Sequence, residues 1–314
     1  MNKLKDYGKV WMASSPLTQN FGPIKRAVDL GVDGVILKSI TPGVKEPRVG
    51  KRILKVNQIM DPLQRFPLHY PGSVYSTSTH WDVECMSIEE ANHLYDKIKS
   101  YDSKVKVIQS FSPSKIEDFD RIADIKSDGL ELNSCAYDLG TARPYVYGVL
   151  GDRASEAEND KERMNVFYSN KARRSEIFRK KLEALGLGVP IIFKASRGSI
   201  ADDDFFEWNI DGFTFSDSQK SATFQRMDNY SRQVGGKVSL SGELLWEGTI
   251  GLLPHLRKKV GDKYLFASGG IMNSERAKQC IENGADAVQI CSAVYVSGWK
   301  ALERIVNEVK RRIY

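Results

Sequence analysis

The sequence alternates short apolar runs with longer amphipathic segments along almost its whole length, and this alternation limits the possible folds most strongly. It is typical of βα repeats, in which helices join parallel strands. We predict strands at residues 10–14, 34–38, 105–110, 129–133, 190–194, 212–215, 264–268 and 287–290, with two further candidates within 65–75. Helices are predicted at residues 22–30, 87–100, 114–125, 171–185, 202–208, 244–260, 274–282 and 298–312. Eight strand–helix pairs predict an α/β fold of the (β/α)8 TIM barrel type.

The composition is that of one large globular domain. With 314 residues, 41% of them hydrophobic, the chain can bury a single core, so we predict one domain over 1–314. The segment 137–170 is rich in Arg, Tyr and acidic residues and is predicted to form a lid. The net charge of +6 is spread along the chain, which indicates a solvated surface rather than a nucleic-acid site. The four cysteines show no C-x-x-C spacing, so no metal is expected. No apolar run reaches membrane length, so a soluble, cytoplasmic protein without a membrane partner is expected.

Two consecutive strand–turn–helix units end the chain. In the first, Gly269 and Gly270 follow an apolar strand, and in the second, Cys291 and Ser292 do. Glycine lets backbone N–H groups approach an anion without a Cβ in the way. Because the two loops follow neighbouring parallel strands, they predict a phosphate site at the carboxyl end of a barrel, although ordinary βα turns would show the same pattern. The helix between them is expected to begin at a cap near residue 273 or 274 and to stop at residue 284.

Polar residues directly follow several of the predicted strands. Two of them are lysines, Lys38 and Lys194, each at the end of an apolar run. A buried ammonium group needs an anion or a polar ring as a partner, so we predict that both lysines converge on one pocket. The alternative is that each lysine extends to the rim beside a surface glutamate.

A set of motifs in a fixed order resembles a known family. The motifs lie at residues 13–14, 35–41, 47–48, 131–135, 192–194, 240–242, 267–271 and 288–293, and the likeness runs from about residue 10 to about residue 310. Together they resemble the soluble class 1 dihydroorotate dehydrogenases. The resemblance implies an FMN-containing barrel that oxidises dihydroorotate to orotate in pyrimidine biosynthesis, as a homodimer and with a soluble electron acceptor such as fumarate.

The resemblance also implies roles for individual residues. Lys194 would stabilise reduced FMN, and Lys38 would bridge the flavin and the substrate. Residues implied around the FMN phosphate are Gly242, Ser268, Gly269, Gly270, Cys291 and Ser292. Residues implied along the ring and the ribityl chain are Ala13, Ser14, Lys38, Ser39, Asn133, Lys194 and Ser218.

The loop after the fourth strand departs from the family pattern. The family has a cysteine or serine base in an Asn-Leu-Ser-Cys-Pro-Asn loop, whereas this chain reads Asn-Ser-Cys-Ala-Tyr-Asp over residues 133–138. The base position therefore falls on Cys135 with a gap in the alignment, or on Ala136 without one. Cys135 could also be a small buried apolar residue.

The substrate-binding asparagines of the family are mostly absent. Only Asn133 clearly survives, Asp217 stands where an asparagine is usual, and residues 67–75 contain none. The predicted substrate-binding residues are Lys38, Asn133 and Asp217.

Two other functions stay open. One is a flavin barrel of the dihydrouridine synthase type that acts on tRNA, although no concentrated basic patch supports it. The other is a flavin-binding barrel with a different substrate or no activity.

Overall fold

A computed structural model describes most of the chain. The described residues are 4–41, 85–113, 116–133, 180, 183–184, 186–195, 206–215 and 238–311, with short strand segments at 53–56, 59–60, 67–68, 73–76 and 219–221. The predicted lid, 137–170, and nearly all of the predicted helix 171–185 lie outside them.

Fourteen strands occur within the described residues. In chain order they are β1 Val10–Met12, β2 Gly34–Ile40, β3 Ile53–Val56, β4 Ile59–Met60, β5 Pro67–Leu68, β6 Ser73–Ser76, β7 Lys106–Phe111, β8 Gly129–Asn133, β9 Ile191–Ala195, β10 Gly212–Phe215, β11 Gln219–Ser221, β12 Val238–Gly242, β13 Tyr264–Ser268 and β14 Ala287–Ile290.

Eight of these strands close into a parallel barrel in the order β1-β14-β13-β10-β9-β8-β7-β2. They match the eight predicted strands to within one residue at each end, except that β1 ends at Met12 and β2 continues to Ile40. Because helices follow the strands, as a parallel arrangement requires, the (β/α)8 TIM barrel prediction is confirmed.

The helices lie close to their predicted bounds in most places. They are α1 Phe21–Asp29, α2 Ile88–Tyr101, α3 Trp246–Val260, α4 Ser274–Glu282, α5 Ser292–Ser297 and α6 Trp299–Lys310. Asn273 caps α4 by accepting a hydrogen bond from Arg276 N, and Gly284 follows the helix end with φ +102°. Short 3₁₀ helices lie at Pro16–Thr18 and Glu243–Leu245.

Two helix predictions are corrected by the structure. The predicted helix at 114–125 is a 3₁₀ helix, Ile116–Asp124, rather than an α-helix. The predicted final helix is preceded by a separate short helix, α5, because Gly298 adopts φ +76° and interrupts the helical path between α5 and α6.

A second sheet lies beside the carboxyl end of the barrel. It is antiparallel, with the order β11-β12-β6-β3, and β4 pairs with β5 separately. β6 and β12 contact α5, which begins where barrel strand β14 ends. Of these strands, only β5 and β6 correspond to the candidates within 65–75.

At the amino end of the barrel, four aspartates join neighbouring strands in pairs. Each directly precedes one strand and accepts a hydrogen bond from the backbone N–H of the strand before it. The bonds run from Val10 N to Asp33, Val107 N to Asp128, Ile191 N to Asp211 and Leu265 N to Asp286, at 2.8 to 2.9 Å. These pairs, β1–β2, β7–β8, β9–β10 and β13–β14, divide the barrel into quarters.

The lower barrel interior is apolar. Its buried side chains form one cluster: Leu4, Trp11, Ile36, Ile108, Ile192, Tyr264, Phe266 and Ala287. The Trp11 ring fills the space above Gly34, where a Cβ would lie 2.3 Å from a ring carbon. The amino end is therefore closed by packing. No helix in the described part of the chain is long and apolar enough to cross a membrane.

Candidate functional site at the carboxyl end of the barrel

The upper barrel interior is polar, in contrast to the apolar cluster below it. Glu131, Thr214 and Gln289 come from β8, β10 and β14, and all three are almost completely buried. Glu131 Oε2 accepts hydrogen bonds from Thr214 Oγ1 at 2.8 Å and from Gln289 Nε2 at 3.1 Å. Gln289 Nε2 also donates to Thr214 Oγ1 at 2.9 Å. Because β8 and β14 lie on opposite sides of the barrel, these bonds span its interior.

Lys194 joins this network from β9. It is only 4% exposed, and its Nζ lies 3.6 Å from Glu131 Oε1. The expectation that it needs an anionic partner is therefore met within the protein. The alternative of a surface glutamate is wrong for Lys194, since Glu131 is completely buried. We call Glu131, Lys194, Thr214 and Gln289 the polar layer.

Two oxygen atoms of the polar layer have no hydrogen-bond donor among the described residues. Glu131 Oε1 and Gln289 Oε1 are buried and have no hydrogen-bond donor among those residues. Buried oxygens without a donor are uncommon, and they occur where a ligand or a water completes the site. This layer is thus suited to face a polar ligand.

Lys38 and Ser39 lie at an irregularity in β2. The register of β2 with β7 shifts between Leu37 and Ile40, which is the signature of a bulge. Ser39 is buried, and its hydroxyl lies 3.0 Å from the hydroxyl of Ser110 on β7. Lys38 is half-buried.

Cys291 lies close to both predicted lysines. Burial raises the pKa of the Cys291 thiol, and three neighbours oppose this: a hydrogen bond with Ser15 and the positive charges of Lys194 and Lys38. Lys38 in β2 and Lys194 in β9 both lie towards the carboxyl end of the barrel, and their convergence on one pocket stays a prediction. Ala13 and Ser14 precede Ser15 in the loop after β1, and Ala13 N donates to Ile290 O at 2.9 Å.

The turn after β13 contains glycines in a backbone conformation that glycine favours, and one of them also lies against α3. Gly269 and Gly270 have φ +97° and +77°, in the left-handed region. A Cβ at Gly270 would lie 2.5 Å from Trp246 N, so the glycine is needed for contact with the start of α3. This contact constrains Gly270 independently of the predicted phosphate site, which stays a prediction.

Arg276 fixes the same turn from α4. It donates to Gly270 O at 3.0 Å, forms a two-bond ion pair with Glu243 and stacks over the Trp246 ring at 4.7 Å. Sequence reasoning did not identify this arginine. It holds the turn against the carboxyl end of β12, which ends at the buried Gly242 with φ +83°.

The remaining predicted residues are placed as follows. Ser268 is buried at the end of β13, in register with Gln289 on β14, and Asn133 ends β8 in register with Lys194. Parallel pairing of β13 with β14 puts the turn at Gly269 beside the carboxyl end of β14. Cys135, Asp217 and Ser218 lie outside the described residues, and their predicted roles stay predictions.

Glu131, Thr214 and Gln289 were missed at the sequence level. Each is a single polar residue between apolar neighbours, in Leu-Glu-Leu, Phe-Thr-Phe and Val-Gln-Ile. Since side chains alternate along a strand, a polar residue at this position identifies the inner face of a barrel strand. That alternation was the available signal.

The fold and this arrangement define a parallel barrel with charged and polar side chains buried in its interior towards the carboxyl end. Among known proteins, the chain is 34% identical over 89 residues to a dihydroorotate dehydrogenase (quinone) of Dichelobacter nodosus, covering 28% of this chain and 26% of the relative. Two other proteins of that name, from Sinorhizobium fredii and Sinorhizobium medicae, are 32% and 33% identical over 100 and 99 residues, covering 32% and 31% of this chain and 27% and 26% of the relatives.

These matches are partial. The chain matches only about a quarter of the length of these relatives, from 26% to 27%. No protein-family model matches the chain. The chain is thus distantly similar, over about a third of its length, to dihydroorotate dehydrogenases whose names specify a quinone, and the class 1 subtype stays a prediction.

Proposed function

We propose that the protein is an FMN-dependent oxidoreductase of the dihydroorotate dehydrogenase type, acting on dihydroorotate or on a related ring with a CH–CH bond. The presence of Lys38 in β2 and Lys194 in β9, both towards the carboxyl end of the barrel, carries this proposal. That end is where barrel enzymes bind their substrates. The partial similarity to dihydroorotate dehydrogenases supports the same reaction class.

The residues at this end suit FMN. The buried Oε1 of Gln289, which has no donor among the described residues, can accept from a polar ring N–H group. The backbone of Gly269, Gly270 and Ser292 would hold the phosphate, together with Gly242 and Cys291. When bound, FMN would accept a hydride at its N5 atom.

The two lysines would stabilise negative charge. An ammonium group in a site shielded from water stabilises an adjacent anion far more than it would in water. We assign Lys194 to the flavin ring and Lys38 to the contact between ring and substrate. Ala13, Ser14, Ser39 and Ser218 would complete the ring and ribityl contacts.

The substrate would be oriented by Asn133 and Asp217, with Cys135 removing the proton from the carbon next to the one that loses the hydride. Asn133 is the best supported of these, since it is in register with Lys194 on the neighbouring strand. Orotate would be the product with dihydroorotate as substrate.

We further propose a cytoplasmic homodimer that passes electrons to a soluble acceptor such as fumarate. The names of the relatives specify a quinone instead. Reoxidation rates with fumarate and with a water-soluble quinone distinguish these acceptors.

The proposed cofactor is tested by titrating the flavin-free protein with FMN and with riboflavin, using quenching of flavin fluorescence. FMN is expected to bind about 100-fold more tightly, since only FMN carries the phosphate. Ser292→Ala should weaken FMN binding by about tenfold and leave riboflavin binding unchanged. Ser297→Ala, at the exposed far end of α5, is the matched control and should change neither.

Equal affinity for FMN and riboflavin would contradict the predicted phosphate site. Failure to bind either flavin would overturn the proposed function.

A further inference from the structure

The polar layer contains a carboxylate that the proposed reaction does not use. Glu131 is completely buried inside the barrel. Its Oε2 is held by two donors, Thr214 and Gln289, which come from two other strands. Its other oxygen, Oε1, faces Lys194 and lies 3.6 Å from Nζ. The carboxylate is therefore fixed in orientation, with one oxygen reserved for the ammonium group.

The buried ion pair between Glu131 and Lys194 is not expected to stabilise the fold. Removing two charges from water costs several kcal/mol per ion, and a buried ion pair often contributes no more than apolar residues of the same volume would. At 3.6 Å, the contact between Lys194 and Glu131 is also longer than a good hydrogen bond. The barrel interior directly below is packed with apolar side chains, so the fold itself does not need charges here.

The distance does suit electrostatic control. Two charges this close in a medium of low dielectric constant influence each other strongly. Lys194 is exposed by only 4%, so solvent screens its charge weakly. The net charge presented to a ligand above the layer thus depends on Glu131 as much as on Lys194.

We propose that Glu131 is a positioning residue that offsets the charge of Lys194 and so limits how strongly the site stabilises an anionic flavin ring. The proposal rests on the proposed function, because it concerns FMN bound above the polar layer. Removing the carboxylate while keeping the lysine leaves a full positive charge beneath the ring. The ring should then take up negative charge more readily.

Sulfite measures this property without turnover. Its sulfur lone pair forms an S–N bond to flavin N5, and an electron pair moves into the ring as negative charge near N1 and O2. No oxidant or reductant is needed, and the loss of visible flavin absorbance gives the dissociation constant. A positive charge near N1 and O2 strengthens sulfite binding.

We therefore compare the sulfite dissociation constants of the FMN-loaded proteins. Glu131→Gln should bind sulfite about tenfold more tightly than the wild type. Asp128→Asn is the matched control, because it removes the carboxylate of another ion pair, with Lys99, just before the same strand. It lies at the amino end and should leave the constant within about twofold.

A second variant keeps the proposal testable if Glu131→Gln does not fold. Glu131→Asp retains the negative charge but withdraws it from Lys194 by one methylene. It should bind sulfite about threefold more tightly, because the attraction falls with distance. A dissociation constant unchanged in whichever of the two variants folds would overturn the proposal and make Glu131 purely structural. A wild-type protein that binds no FMN would instead overturn the proposed function.

Discussion

The two ends of the barrel interior are built from opposite chemistry. The amino end is closed by the Trp11 cluster and by aspartates that join the strands in pairs. The carboxyl end carries the polar layer, with buried charges and oxygens that lack donors among the described residues. At the amino end the aspartate carboxylates accept hydrogen bonds from backbone N–H groups, whereas at the carboxyl end Glu131 Oε1 and Gln289 Oε1 have no hydrogen-bond donor among the described residues. The comparison separates residues that hold the fold from residues for which we propose a binding role.

At the amino end, each of the four aspartates links its strand to the neighbouring strand through a hydrogen bond. Their partners are backbone N–H groups of buried residues such as Val10 and Leu265, which would otherwise be left without an acceptor. Nearby cations strengthen the arrangement, since Lys310, Lys99 and Arg257 pair with three of them.

The largest effect is expected at the amino end. Asp33→Ala removes the acceptor for Lys9 N and Val10 N and the partner of Lys310, so the free energy of unfolding in urea should fall by about 3 kcal/mol. Affinity for FMN should stay within about twofold, because the site lies at the other end. Asp33→Asn retains an acceptor oxygen and should cost about 1 kcal/mol. If Asp33→Ala also lost affinity for FMN, the proposed separation of stability at the amino end from binding at the carboxyl end would be contradicted.

A smaller effect is expected at the glycine turn of the carboxyl end. Gly270 and Gly298 have nearly equal φ values, +77° and +76°, but a Cβ at Gly298 meets nothing within 4 Å. Gly298→Ala should therefore lose about 1 kcal/mol of unfolding free energy, from its backbone conformation of φ +76° and ψ −178° alone. Gly270→Ala should lose about 1 kcal/mol more, because its Cβ overlaps the backbone of Trp246. Equal losses measured by urea unfolding would show that the close approach to α3 is not a constraint.

The smallest effect concerns the charge around Cys291. Lys38→Met removes one of the charges that lower the pKa of the Cys291 thiol, so the pKa should rise and the thiolate fraction should fall. In the flavin-free protein, at a pH below the thiol pKa, alkylation of Cys291 should slow by about threefold. Mass spectrometry measures the alkylated fraction over time.

Lys310→Met is the control for that measurement. It removes a lysine at the amino end, where Lys310 pairs with Asp33, and should leave the alkylation rate unchanged. If both variants slow alkylation equally, Lys38 does not act locally on the thiol.

The barrel was predictable because its strands are continuous apolar runs between glycine and polar turns. Burial on both faces leaves that pattern in a parallel sheet. That Lys38 and Lys194 lie at the same end of the barrel was also predictable, since the carboxyl ends of parallel strands meet at one end of a barrel.

The polar layer and the aspartate pairs were not predicted, although both leave a trace in the sequence. Glu131, Thr214 and Gln289 each interrupt an apolar strand once, and one interruption alone carries little information. The aspartates recur as Asp-Gly or Asp-Ala directly before every second barrel strand, at residues 33, 128, 211 and 286. Their meaning depends on which strand is the neighbour, and that is a property of the closed barrel.

The need for glycine at Gly270 was only partly predictable for a similar reason. Its closest neighbour, Trp246, comes from a different strand–helix unit. The antiparallel sheet beside α5 was mostly missed, because its strands are too short to show a clear alternation of apolar and polar residues.

The most direct test of the carboxyl-end site is anaerobic mixing of the FMN-loaded protein with dihydroorotate while the visible flavin absorbance is followed. The account predicts bleaching in the wild type, much slower bleaching in Lys194→Ala and wild-type bleaching in Asp33→Asn. Absence of bleaching in an FMN-loaded wild-type protein would contradict dihydroorotate as the substrate, and equal bleaching rates in the wild type and Lys194→Ala would contradict the role given to the polar layer.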